Sequence, residues 1–380
     1  MTGKNERPFR RHVFYIPGFD PHPARRYREL YRSEGRAQAM IAGYGLEQGP
    51  FPGGWRTSMN DRGVRSETSF TVLQWSDLVR SSMRLGLVGT HAALFRTAWI
   101  YLRSGALMRV ARLRKGPLVA ALMPVVLLLG GLISTLVAGF GVGLMFGWGV
   151  GLAVGAAVAF ASRALDRRLY ASYLMQDYAY SAQEWGAYPV ELDARLAEFA
   201  EVIRSVRDVD EILIVGHSSG AYLAVSVLAD ILRSRAPKGP ALSLLTLGQV
   251  VPMVSLLPGA EKLRRDLGQL SQIEDITWVD VSAPGDGCCF ALTNPVAVSG
   301  VHVDTPRWPL VLSAAFSETL SPNRQAALKH KYFKLHFQYL CAFDDPSRFD
   351  YFATTSGSLT LGARFGERRP SPSRIDGVAA

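Results

Sequence analysis

Five short and nearly continuous apolar runs punctuate the chain: residues 12–16 (His-Val-Phe-Tyr-Ile), 68–75, 211–215 (Glu-Ile-Leu-Ile-Val), 242–247 and 276–281. They are rich in β-branched and aromatic residues, and the first is stopped by Pro17-Gly18. Runs of this length, closed by turn residues, predict strands with both faces buried. Between them, apolar positions recur at helical spacing over residues 23–44 (Tyr27, Leu30, Tyr31, Met40), 191–207 (Leu192, Leu196, Phe199, Val202, Ile203) and 219–233. Strands that alternate with helices predict an α/β domain built on a mostly parallel sheet. Residues 252–275 have mixed character and suit a cap. The segment from Glu367 to the end, rich in Arg, Pro and Ser, predicts disorder.

One stretch breaks this alternation. From Gly116 to Ser162 there is no charged residue. A span needs about 20 apolar residues, so the stretch predicts two transmembrane helices, at 117–137 and 141–161, with Ala138-Gly139-Phe140 as the turn. The flanks carry Arg112, Arg114 and Lys115 on one side and Arg163, Arg167 and Arg168 on the other. Basic residues at both ends predict a hairpin with both ends cytoplasmic. Gly143, Gly147, Gly151 and Gly155 form a four-residue ridge that lets another helix approach, within the hairpin first and by self-association second. Residues 80–115 interleave arginines with Leu, Trp, Ile and Tyr, as in a helix lying in the membrane interface or one with a solvated basic face. The predicted organisation is therefore 1–80 and 163–366 as two parts of one domain, 81–115 basic and amphipathic, 116–162 the hairpin, and 367–380 a tail.

Charge sharpens this. The formal net charge of +10 is carried entirely ahead of the hairpin: residues 1–115 hold 20 Lys and Arg against 8 Asp and Glu. Next to a membrane segment, anionic lipid headgroups are the simplest partner, and no nucleic-acid signature is present. The N-terminus lacks the apolar core of a cleavable signal peptide. Cys288, Cys289 and Cys341 suggest neither a disulfide framework nor a zinc site.

The chemistry-bearing motif follows the third strand: Ile212-Leu-Ile-Val-Gly216-His217-Ser218-Ser219-Gly220-Ala-Tyr. This is strand, G-x-S-x-G, helix. A serine on so sharp a turn needs glycines at either side, because side chains there would clash. The start of the following helix adds positive potential where an oxyanion would develop. On these residues and on the order of elements, the stretch from about residue 12 to 340 resembles the α/β-hydrolase superfamily, especially its lipase- and esterase-like members, with the hairpin as an insertion.

The resemblance implies Ser218 as nucleophile, followed in chain order by an acid and a histidine. It implies an oxyanion hole from the backbone N–H groups of Ser219 and Phe19, because Pro17-Gly18-Phe19 stands where the family often has His-Gly-x. For the acid, Asp286 lies past Pro284-Gly285 in a loop and is favoured over Asp280, which lies within the strand. For the base, His336 between two apolar-aromatic stretches is favoured over His330 and His302. His217 is expected to pack and His22 to serve a loop. The triad implies ester hydrolysis through an acyl-enzyme with no cofactor or metal. The location favours a lipid or other amphipathic ester as substrate, at a bacterial inner membrane with the hydrolase domain in the cytoplasm. An acyltransferase using the same triad and a catalytically silent membrane scaffold are the alternatives.

Overall fold

The computed structural model describes residues 7–234 and 239–377, with the backbone alone for Leu87. The strands are β1 (Phe9–Ile16), β2 (Gly45–Phe51), β3 (Gly54–Asp61), β4 (Val64–Val72), β5 (Glu211–His217), β6 (Ala241–Leu247), β7 (Ile276–Ser282) and β8 (Leu310–Ser313). They form one sheet in the order β2-β3-β4-β1-β5-β6-β7-β8. From β4 to β8 every neighbour is parallel, and β2 and β3 add an antiparallel edge. The chain is thus α/β with a mostly parallel, helix-flanked sheet.

Alternation along the strands explains why the sequence reads as continuous apolar runs. Successive side chains point to opposite faces, and here both faces are covered. Phe14, Ile16, Ile212, Ile214, Leu244 and Trp278 pack into one core, under α8 (Val190–Arg204), α9 (Gly220–Arg233) and α10 (Glu261–Gln272). Val13, Tyr15, Leu213, Val215, Leu245 and Val279 pack into the other, with α1 (Arg25–Ala42) and the C-terminal residues. Each such side chain contributes about 1.5–3 kcal/mol on leaving water. Low on the sheet sits a buried ion pair, Arg11 Nε to Glu211 Oε2 at 2.6 Å. It is fully satisfied: Glu211 Oε1 accepts from Ser243 Oγ and the Leu361 N–H, and Arg11 also donates to the Gly357 and Leu359 carbonyls.

Between β4 and β5 the chain leaves the sheet. Short α2 (Ser76–Ser82) leads to α3 (Leu87–Arg103) and α4 (Ala106–Leu113), then to α5 (Lys115–Phe146), α6 (Trp148–Leu169) and α7 (Ala171–Ala182). Helices α5 and α6 are long and apolar enough to cross a membrane; at 1.5 Å per residue they measure about 48 and 33 Å. Their large apolar side chains, among them Val126, Ile133, Leu136, Phe140, Leu144, Leu152 and Phe160, are exposed.

The hairpin turns at Gly147, with φ of 90°, and not at residues 138–140, which lie inside α5. The small residues there serve packing: a Cβ on Gly151 would lie 2.4 Å from the Gly139 carbonyl and 2.6 Å from the Gly143 Cα. Gly151 and Gly155 are buried against α5, so this ridge is used within the hairpin.

Two further differences from the sequence expectation concern the edges. The β2–β3 hairpin and β8 add three strands. Residues 368–376 are ordered against the sheet, where Ser371 N–H donates to the Val311 carbonyl at 2.8 Å and Ile375 bridges Thr293. The last three residues of the expected tail lie outside the described residues.

Candidate active site

At the end of β5 the backbone turns sharply. Ser218 has φ of 58°, the left-handed region that a residue with a Cβ rarely enters, at a cost of order 1–3 kcal/mol. The neighbours make the turn possible. A Cβ at Gly216 would stand 2.5 Å from the Gly220 carbonyl, and one at Gly220 would stand 2.1 Å from the Ile16 carbonyl. Ser218 N–H donates to the Leu247 carbonyl at 3.0 Å and its carbonyl accepts from Ala221 N–H at 3.0 Å. The side chain is half-buried and lines a cavity of about 50 Å³.

His336, at the end of the short helix Tyr332–His336, lines the same cavity. Its Nδ1 pairs with Asp286 Oδ2 at 2.7 Å, with both side chains buried. Its Nε2 is buried and has no partner among the described residues, so the Ser218 hydroxyl is not yet hydrogen-bonded to it. Such bonds are often long in an unliganded enzyme and tighten when substrate binds.

Asp286 lies in the loop after β7. Tyr339 Oη donates to its Oδ2 at 3.0 Å and the Cys288 N–H to its Oδ1 at 3.0 Å. Burial alone would raise the Asp286 carboxyl, but His336 and the Cys288 N–H outweigh it and hold the carboxyl below its usual range. Tyr339 Oη in turn accepts from Ala283 N–H at 2.9 Å, so the acid is fixed to the end of β7.

The other candidate acid is elsewhere. Asp280 is fully buried within β7, where its Oδ1 accepts from Thr246 Oγ1 at 2.6 Å. Burial outweighs that hydrogen bond and pushes its carboxyl up to about 7. His302 and His330 are exposed and do not line the cavity. His22 belongs to a loop, its N–H donating to Asp20 Oδ1 at 2.8 Å. His217 packs its ring 4.8 Å from that of His336, and its Nε2 contacts the His336 carbonyl at 3.0 Å. Burial lowers its pKa to about 3, so it stays neutral and braces the His336 backbone.

Of the two expected oxyanion donors, Phe19 lines the cavity and Ser219 directly follows Ser218. A Cβ on Gly18, next to Phe19, would lie 2.9 Å from Ser218 Cβ, so the two loops run close together. Phe19 is buried against Trp75, Tyr173 and Tyr180, and its carbonyl accepts from Tyr173 Oη. Neither the Phe19 nor the Ser219 N–H has an acceptor among the described residues.

Among the lining residues that no motif marks, two are acidic, Asp20 and Asp177. Asp177 on α7 faces Ser218 and accepts from Ser219 Oγ at 3.2 Å through both carboxylate oxygens. Burial outweighs the Ser219 hydrogen bond and pushes its carboxyl up to about 7. The available signal was its isolation: it is the one charged residue of α7.

Helices α5 and α7 complete the walls. Ala120 of α5 lines the cavity beside Tyr173, Leu174 and Tyr178 of α7. The foot of α5 also touches the acid's loop. A Cβ on Gly116 would lie 3.0 Å from the Gly287 Cα, and Arg114 Nε donates to the Ala291 carbonyl at 2.9 Å. No family model matches the chain, and neither a curated protein nor a solved structure matches it.

Proposed function

We propose that this protein is a membrane-anchored serine hydrolase of the α/β-hydrolase type that cleaves a carboxylic ester of an amphipathic, lipid-like substrate. The observation that carries the reading is the meeting in one cavity of a strained Ser218 and of His336, whose ring is paired behind it with the buried Asp286. A neutral histidine oriented by a carboxylate is the arrangement that activates a serine hydroxyl.

In the reaction Ser218 Oγ forms a bond to the acyl carbon and its proton passes to His336 Nε2. Asp286 keeps the Nδ1 proton in place and stabilises the imidazolium. The Phe19 and Ser219 N–H groups receive the oxyanion, a contribution worth about 3–4 kcal/mol for one such donor. The ester C–O bond breaks as His336 gives its proton to the departing alcohol. A water deprotonated by His336 then releases the acid and restores Ser218.

Three features support the membrane side of the reading. Helices α5 and α6 are long, apolar and exposed. The excess of basic residues precedes them. Helix α3 presents Val88, Phe95, Trp99 and Leu102 outward on one face, an uncovered apolar stripe of the kind that lies in a bilayer interface. With basic flanks at both ends of the hairpin, the globular part would face the cytoplasm.

The test is labelling by a fluorophosphonate probe in native membranes, wild type against Ser218→Ala. Labelling that vanishes in the variant supports an activated serine at Ser218. Folded wild type that takes up no probe, or labelling that persists in Ser218→Ala, overturns it.

A further inference from the structure

A second cavity adjoins the first. It has a volume of about 270 Å³ and lies among α3, α4, α5 and α7. Tyr178 and Met253 line both cavities, and on α5 Ala120 faces the one while its neighbour Ala121 faces the other. The walls are hydrocarbon and aromatic: Leu94, Ala98, Val110, Ala121, Val125 and Phe290. Of the three hydroxyl-bearing residues there, Thr97, Tyr101 and Tyr178, Tyr101 donates to the Met253 carbonyl at 2.7 Å.

An apolar void of this size beside a reacting centre calls for an apolar ligand, because its walls offer few groups to hold water in place. Its rim indicates where such a ligand enters. Leu102 and Leu122 line the cavity and are also exposed, at 63% and 40%. Leu102 belongs to the uncovered stripe of α3, and Leu122 to the uncharged helix α5. The opening is therefore bordered by the same surfaces that are suited to contact lipid.

We infer that this cavity holds the acyl chain of the ester whose carbonyl sits at Ser218, and that the chain enters sideways from the bilayer between α3 and α5. The inference rests on the hydrolase reading above and adds to it the part of the substrate that decides selectivity. At about 30 Å³ for a water-sized group, the volume accommodates roughly nine chain carbons. Referred to ester dissolved in water, each buried methylene should raise kcat/KM by up to about fourfold, until the cavity is full.

The experiment uses the full chain in phospholipid nanodiscs and p-nitrophenyl esters from acetyl to hexadecanoyl. Wild type is expected to show kcat/KM rising with chain length to about ten carbons and then levelling. Ala98→Phe and Ala121→Phe, which fill the cavity from two different helices, should lower the decanoyl-to-acetyl ratio at least tenfold. Leu136→Phe, on α5 but away from the cavity, should leave that ratio unchanged.

A flat chain-length profile in wild type overturns the inference without any variant. So does an unchanged ratio in both filling variants while esters are still turned over; in either case the serine-hydrolase reading stands. Failure of wild type to cleave any ester in a Ser218-dependent way removes the hydrolase reading itself.

Discussion

Asp280 offers the sharpest test of how the sheet distributes its carboxylates. It is fully buried in β7, Thr246 Oγ1 satisfies its Oδ1, and its Oδ2 has no partner among the described residues. Its carboxyl rises from the ordinary 3.8 to about 7, through burial that Thr246 only partly offsets. A raised value means that the folded protein holds this proton more tightly than the unfolded chain does. Stability is therefore lost as pH climbs from about 4, where the unfolded carboxyl ionises, to about 7, where the folded one does. Above that the loss is constant. At about 1.36 kcal/mol per pH unit, a window of roughly three units amounts to a loss of about 4 kcal/mol. Asp280→Asn removes the charge and keeps an acceptor for Thr246. Its amide N–H groups would replace the unpartnered oxygen at a cost of about 1–3 kcal/mol. The variant should thus be less stable than wild type near pH 4 and more stable at pH 8, by about 1–3 kcal/mol in each case. Denaturant titration of the detergent-solubilised full chain at one-unit pH steps, read by tryptophan fluorescence, measures this; Trp278 is buried two residues away. Wild-type and variant stabilities that run parallel from pH 4 to pH 8 would refute the argument. So would loss of Ser218 labelling in this variant, because it would move the acid from Asp286 to Asp280.

Asp286→Asn should leave folding intact and lower ester turnover by about 10⁴, as measured by steady-state kinetics, because the histidine loses the partner that fixes its tautomer. Gly18→Ala places a methyl group 2.9 Å from Ser218 Cβ; a misplacement approaching 1 Å should cost about 100-fold in kcat/KM, with an unchanged circular-dichroism spectrum. Glu211→Ala strands the Arg11 guanidinium in the core and should cost about 3–5 kcal/mol in a denaturant titration, whereas a loss under 1 kcal/mol would mean that water reaches Arg11.

Five of the strands and the elbow were legible. β1, β5, β6 and β7 are covered on both faces, so burial wrote them into the sequence as nearly continuous apolar runs, and β4 showed only over its second half, Thr68 to Val72, where it buries Phe70 and Val72. The glycines around Ser218 are required by contacts under 3 Å, and that requirement is visible as G-x-S-x-G. Asp286 differs from Asp280 in following the strand, and His336 differs from His302 and His330 in its apolar-aromatic neighbours; both distinctions are visible in the sequence, and in the fold His336 lines the cavity with Ser218 while its ring pairs with Asp286. The β2–β3 hairpin was hidden because an edge ribbon needs little apolar alternation: β2 reads Gly-Leu-Glu-Gln-Gly-Pro-Phe and has no buried residue. The four-residue β8 follows Pro309 and was too short to show a period. The turn of the hairpin was misread because small residues signal both turns and close helix packing, and at 138–140 they serve the second. Asp177 was missed because its partner, Ser219, is 42 residues distant and the contact exists only after α7 folds over the elbow.

The insertion between β4 and β5 also orders events on the ribosome. β1 lies at the centre of the finished sheet, yet its two neighbours are made far apart: β4 soon after it, and β5 only after all of α2 to α8. A chain lengthening by about 5–20 residues per second leaves the β1 edge open for on the order of ten seconds. That edge carries Val13, Phe14, Tyr15 and Ile16, an apolar template of the kind that pairs with the wrong strand. The hairpin emerges within this interval. Its insertion would tether the half-built sheet to the bilayer and keep like edges apart until β5 arrives to close it. A nascent chain whose hairpin fails to insert would wait with both an open edge and an exposed hairpin, so the demand for chaperones should peak at this one point in its synthesis.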